Sequence, residues 1–184
     1  MKIIYAKPTH TSALLSVHRQ AFSGANSAEK GEVISDLVKD MLADSTAEPR
    51  HSLIAVEQEI IVGHILFTRV EIEGGGNAAA QILAPLAVHP DFQSKGIGRN
   101  LIMAGLDALR RSKIELVFVL GHPDYYPRCG FSPAGVCGFE APYPIPAEHA
   151  AAWMVQELNP GIIGTIKGKI RCAETLHRPE HWRE

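Results

Sequence analysis

The sequence predicts a mixed α/β (α+β) fold: a mainly antiparallel central sheet flanked by helices, with one right-handed strand–helix–strand crossover. Three observations predict it. Between residues 52 and 88 three apolar, partly β-branched segments follow one another across short turns. Two helical stripes precede them and one follows. After that last stripe comes a continuous apolar run, Ile114 to Leu120, of the kind found in strands buried on both faces.

Taken in order, Met1 to Ala6 reads as a short strand, and Pro8-Thr9 ends it, with Thr9 as an N-cap. Leu14, Val17 and Ala21 form a helical stripe. Val33, Ile34, Leu37, Val38, Met41 and Leu42 form a second. Asp44 to Arg50 is polar, contains Pro49 and reads as a loop. Ser52 to Val56 is a strand, Glu57-Gln58-Glu59 a turn, and Ile60 to Glu73 a long strand. In its second half Val70 and Ile72 face one way and Arg69, Glu71 and Glu73 the other. Gly74-Gly75-Gly76-Asn77 turns the chain into a strand from Ala79 to Val88, interrupted by Pro85. A glycine-bearing loop, Gln93 to Gly98, opens a helix whose Ile97, Leu101, Ala104, Gly105, Ala108 and Leu109 share one face. Arg110, Arg111 and Lys113 sit at its C-terminal end, where positive charge suits the dipole. After Ile114–Leu120 a short helix carries Tyr125 and Tyr126 and stops near Gly130. Trp153–Leu158 and Ile162–Ile170 read as two more strands around an Asn159-Pro160-Gly161 turn, followed by a dozen polar, peripheral residues. The whole of 1–184 is expected to be a single domain, with 141–184 as C-terminal strands and peripheral tail.

Composition narrows the function. Of 184 residues, 46% are hydrophobic and 21% charged, enough to fill a core and too apolar for extensive disorder. Eighteen Lys+Arg against twenty Asp+Glu give a formal charge of -2, which argues against broad binding to nucleic acid. No apolar run approaches the length of a membrane helix, and the N-terminus has no signal-peptide core, so no membrane partner and a cytoplasmic location are expected. The three cysteines are odd in number and scattered, and no metal-ligand spacing appears among them and the nine histidines. No metal is expected.

The informative segment runs from Leu83 to Arg99. A strand ends, a loop follows, and a helix begins at two glycines. The first amides of a helix have no internal partner and point outward at the positive end of the dipole, and glycine lets a ligand approach them. Lys95 and Arg99 add charge. A dinucleotide fingerprint is excluded because Leu101 stands where its third glycine belongs. A Walker A loop is excluded because Arg99-Asn100 follows Gly98. What remains is Gln-x-x-Gly-x-Gly, met by Gln93-Ser94-Lys95-Gly96-Ile97-Gly98, or a plain helix start.

On these residues the chain resembles the GNAT N-acetyltransferases, whose coenzyme A motif is Gln/Arg-x-x-Gly-x-Gly/Ala between the fourth strand and third helix. Pro85 to Gln93 is similar to that family's strand and turn. Some forty residues on, Tyr126-Pro127-Arg128-Cys129-Gly130-Phe131 is similar to its Tyr-x-x-x-Gly-Phe. The likeness covers residues 1–140 in element order. It is nearer a bacterial subgroup with a Gly-x-Pro-x-Tyr-Tyr turn, here Gly121 to Tyr126. One position departs: many members carry an Asn after the fifth strand that bonds the cofactor, whereas this chain has Gly121-His122-Pro123, so that contact is not carried over.

The resemblance implies a parallel strand pair that splays to form a cofactor cleft, with acetyl-CoA as cosubstrate. It implies that Gln93, Ser94, Lys95, Gly96, Ile97, Gly98 and Arg99 bind the diphosphate. The amides of Leu86, Ala87 and Val88 would bind the pantetheine arm and thioester oxygen, beside a bulge at Pro85. Tyr126 would be the general acid, since a phenol is protonated at neutral pH, and Tyr125 would line the cofactor. The implied function is acetyl transfer to a primary amine, a small molecule or a peptide, by direct attack. A non-catalytic acyl-CoA sensor of the same fold and a nucleotide-binding regulatory module are the alternatives. Glu71, Glu73, His64, His122 and Asp124 are open as bases, and none is assigned. No motif in Phe131–Pro160 names the acceptor, and a homodimer through the C-terminal strands is left open.

Overall fold

The computed structural model describes residues 1–24 and 27–183. Its strands are β1 (Lys2–Tyr5), β2 (His51–Glu57), β3 (Ile60–Glu73), β4 (Ala80–Val88), β5 (Leu116–Leu120), β6 (Ser132–Pro133), β7 (Phe139–Glu140), β8 (Trp153–Glu157) and β9 (Gly168–Cys172). Its helices are α1 (Thr11–Phe22), α2 (Ala28–Ala43) and α3 (Ile97–Arg111). One nine-stranded sheet runs β1-β2-β3-β4-β5-β8-β6, and β9 pairs with the far end of β3 and with β7. Pairing is antiparallel except for β4–β5, joined through α3, and the two-residue β7–β9 contact.

Local chemistry sets the elements. Gln58 and Glu59 both take positive φ, 46° and 66°, in the two-residue loop between Glu57 and Ile60. Such a turn matches the twist of a β-hairpin. On one sheet face Ile65, Phe67, Leu83, Val117 and Val119 meet Leu101, Ile102 and Leu106 of α3. On the other, Leu66, Ile82, Leu116 and Phe118 meet Leu37 and Met41 of α2. The Phe67 ring occupies the space a Cβ at Gly105 would need, so α3 lies against β3 at a separation only glycine permits.

The feature that positions the site is an irregularity in β4. Phe67 pairs with Leu83 and Ile65 with Leu86, so Ala84 and Pro85 together face the single Leu66. This is a β-bulge, at the proline that has no N–H to give the ladder. On its other side β4 pairs with β5 only as far as Leu83↔Val119. Beyond that pair the two parallel strands part.

The structure corrects several readings. Pro8–His10 forms a turn of 3-10 helix before α1, and His10, not Thr9, occupies the N-cap of α1. Val33 is exposed, because the buried stripe of α2 runs through Gly31, Ser35, Leu37, Val38 and Met41. The last strand is Gly168–Cys172 rather than Ile162–Ile170, and it does not form a hairpin with β8. Glu157 accepts from the amides of Ile162 and Ile163 and holds that segment as a turn. The C-terminal residues are not peripheral. Trp182 is 3% exposed, donates from Nε1 to Leu176 O at 3.0 Å, and sets its ring edge-on to Trp153, 5.6 Å between centroids. Asp44, at the end of α2, accepts from the amide of Thr175 at 2.9 Å and so ties the tail to the helix.

Trp182→Ala should therefore cost about 3 kcal/mol of stability, as deletion of a buried indole does. Urea denaturation reads it as a lowered midpoint at unchanged slope. A midpoint within error of the unaltered protein would return the tail to the periphery.

Candidate active site

The cleft is built from the end of β4, the loop before α3 and the turn after β5. In the loop, Gln93 Nε2 donates to Val88 O at 3.0 Å, closing the chain back on the strand it has left. Ser94 and Gly96 then take left-handed conformations, φ 60° and 79°, with Gly96 as the N-cap of α3. The first helical bond there is Asn100 N–H to Gly96 O, 3.0 Å. The amides from Ser94 to Arg99 have no protein acceptor among the described residues. A Cβ at Gly96 would meet nothing within 4 Å, so this concave row of amides faces open space. Successive unpartnered amides at a helix start are an anion-binding cradle.

A cavity of about 400 Å³ lies against it, lined by Leu86, Val88, Phe92, Gln93, Ser94, Gly96, Ile97, Gly98, Arg99 and Tyr125. At its wall, the Tyr125 hydroxyl takes the place a Cβ on Gly98 would fill. Tyr126 lies behind, edge-on to Tyr125 at 5.2 Å and to Phe131 at 5.8 Å, its ring over Gly121 where no Cβ intervenes. Burial raises the Tyr126 phenol well above its usual range, and Tyr125 and Cys129 push the same way. Its hydroxyl has no protein partner among the described residues, yet it is not one of the sealed-off polar atoms.

Known proteins match this chain in sequence and in fold. Residues 48–133 match the acetyltransferase (GNAT) domain family. The uncharacterized N-acetyltransferase YjhQ of Escherichia coli K12 is 49% identical over 142 residues, 76% of this chain and 78% of its own. The chain belongs to the GNAT N-acetyltransferases. Among solved structures, the GNAT protein YhbS from Escherichia coli in complex with CoA superimposes with a TM-score of 0.83 at 24% identity, over 96% of this chain and 92% of its own. A GNAT acetyltransferase from Brucella melitensis in complex with acetyl-CoA gives 0.71 at 24%, over 95% and 97%. As a GNAT enzyme the protein is an acetyl-CoA-dependent acyltransferase. Among its described residues no cluster of metal ligands occurs, and no helix is long and apolar enough to cross a membrane.

Not all of the residues read from the sequence share this cavity. Lys95 does not line it: Nζ donates to Asp91 O at 3.0 Å and stands 5.0 Å from the Phe92 ring. Ala87 is turned the wrong way. The His89 amide donates to Val62 O at 2.9 Å, and antiparallel pairing alternates, so the Ala87 amide also points into the ladder, at its register partner His64. The amides of Leu86 and Val88 point to the side from which β5 has parted. Glu71 is ion-paired to Arg69 at 2.9 Å and, like Glu73, lies beyond the Val70↔Ala80 pair, at the opposite end of β4 from the bulge. His122 and Asp124 lie exposed on the turn after β5.

One constellation escaped the sequence reading. His18 of α1 and His64 of β3 are both fully buried, with His18 Nε2 to His64 Nδ1 at 2.7 Å and His64 Nε2 to Ser52 Oγ at 2.8 Å. Burial lowers His18 to about 3. It also lowers His64, with His18 adding to the effect. His18 lies outside the apolar stripe, and the two residues are 46 positions apart, so nothing local announces the pair.

Both rings are neutral in the folded protein, whereas an unfolded histidine takes up a proton near pH 6.5. Above that pH the two states bind protons alike and the pair adds no pH dependence. As pH falls from 6.5 toward the folded value for His18, about 3, the unfolded state binds protons that the folded one refuses. Stability should drop about tenfold in the folding constant per pH unit per histidine. Urea midpoints between pH 7.5 and 5 check this, and His18→Leu should flatten the slope.

Proposed function

We propose that the protein moves the acetyl group of acetyl-CoA to a primary amine, a small molecule or a peptide side chain, by direct attack. The observation that supports this reading is one cavity lined by both the amide cradle and the end of β4 past the bulge, with Tyr125 at its wall and Tyr126 packed edge-on behind it. Acetyl-CoA supplies the acetyl thioester and a diphosphate. The diphosphate suits the amides of Ser94 to Arg99, reinforced by the guanidinium of Arg99. Gln93 acts at one remove, by holding the loop closed on Val88.

Acetyl transfer needs a polarised carbonyl, a protonated leaving sulfur and reactants held in line. The amides of Leu86 and Val88, free of the ladder on the cleft side, are the donors for the pantetheine arm and thioester oxygen. They are fixed by the strand before the reaction begins, so no reorganisation is needed as charge develops. Tyr126 is the proton donor to the thiolate: burial keeps its phenol protonated, and its hydroxyl is bound to no other protein group among those described. Tyr125 covers Gly98 and closes the cavity wall against α3.

Two substitutions test the assignment. Tyr126→Phe keeps the ring packing against Gly121 and Phe131 and removes the proton; kcat should fall about a hundredfold with CoA affinity unchanged. Thiol release against an amine panel measures it, and full turnover in this variant removes Tyr126 from the acid role. Gly96→Asp places a carboxylate at the cradle, and the Kd for CoA by calorimetry should rise at least about tenfold from charge repulsion. Normal CoA affinity there would mean the cradle is not the diphosphate site. CoA binding without any amine-dependent thiol release would make the protein a sensor.

A further inference from the structure

A lysine-like amine, with a pKa near 10.4, is only about 0.04% neutral at pH 7, so the reaction needs somewhere to put a proton. We propose that His18, His64 and Ser52 form a proton relay beneath α1 that carries the proton of the attacking amine away from the cleft to solvent, an inference that rests on the acetyl-transfer reading above.

The geometry places the chain of groups beside the reaction edge. His64 is the register partner of Ala87, between Leu86 and Val88, and α1 packs against both β3 and β4. The links are short: 2.7 Å between the imidazoles and 2.8 Å from His64 Nε2 to the Ser52 hydroxyl. One end, Ser52, is half-buried and reaches solvent. The other end, His18 Nδ1, is a fully buried ring nitrogen with no protein partner among the described residues. A buried polar atom left unpaired is costly, and a purely structural pair gains nothing from it. The surroundings are apolar. Ile54 is the cross-strand partner of His64, and Leu14 precedes His18 by one turn and clusters with Val38 of α2. Arg19 of α1 and Glu32 of α2 pair with each other at the surface, 2.7 Å apart. Among the described residues, the one charge effect on either ring is that of His18 on His64.

The step balances without a charged intermediate on either ring. Through a bridging water, an amine N–H bond breaks and a His18 Nδ1–H bond forms. The Nε2 proton of His18 passes to His64 Nδ1, the Nε2 proton of His64 passes to Ser52 Oγ, and the Ser52 hydroxyl proton leaves. One proton enters and one departs, and each imidazole has exchanged one neutral tautomer for the other. This suits an environment that rejects imidazolium. The reverse passage, one proton in at Ser52 and one out from His18 Nδ1 to the bridging water, resets the chain.

The test compares the unaltered protein with Ser52→Ala and His64→Gln. The acceptors are ethanolamine, tryptamine, lysine and kanamycin. For an accepted amine, kcat/KM of both variants should be about a hundredfold lower at pH 7 and should climb toward the unaltered value as pH approaches the pKa of the amine, with CoA affinity unchanged. Profiles that superimpose on the unaltered protein overturn the relay. An independent readout is imidazole nitrogen NMR. His18 and His64 should show shifts averaged over two neutral tautomers, and Ser52→Ala should freeze them in one. A single fixed tautomer in both proteins also overturns the relay. If the unaltered protein releases no thiol with any of these amines, the acetyl-transfer reading fails, and the nitrogen shifts still decide whether the chain conducts.

Discussion

Two residues of β4, Ala84 and Pro85, stand against the single Leu66 of β3, and the ladder that would continue to β5 stops at Leu83↔Val119. The open edge of β4 follows from that loss of register. Had pairing run on, the Leu86 and Val88 amides would be spent on β5 carbonyls. An extra residue opposite one on the neighbour bends a strand, and a proline at that spot withholds the donor that would otherwise resist the bend. The same bend leaves His64 directly behind the open edge, so donor-side amides and buried imidazoles occupy opposite sides of one short stretch of β4.

The other half of the site is held by packing. The cradle sits at the start of α3, and α3 is seated on the sheet through the Phe67 ring in the gap left by Gly105 and through Leu101, Ile102 and Leu106. Close-packed interiors transmit displacement rather than absorb it. The separation between the cradle and the bulge is thus fixed by hydrocarbon contacts remote from either. The C-terminal segment acts on the opposite face, where Trp153 lies between Phe118 and Trp182 and secures β8 to β5 at the strand end that opens the cleft.

How much of this was legible in the sequence depended on whether the signal was local. Gln93 to Gly98, Pro85 and Gly130 each impose a backbone geometry by themselves, and each does in the fold what its chemistry dictates. The strands from β2 to β5 were readable for the same reason, through apolar runs and short turns. Which way an amide points is not legible in a sequence, because it depends on the partner strand's register, and nothing local separates Ala87 from Leu86 and Val88. The resemblance implies a diphosphate contact for Lys95, whereas its side chain folds back on the Asp91 carbonyl. The tail looked polar, but its burial rests on the spaced residues Leu176 and Trp182, a pattern with no periodicity to detect. His18, His64 and Ser52 come from three elements and meet only when the sheet is assembled.

The six unpartnered amides at the start of α3 hold a standing positive potential made of peptide dipoles, with no titratable side chain required to produce it. An anion held by such a row meets no titrating group among the amides themselves, so acidity acts on that contact only through the charge of the ligand.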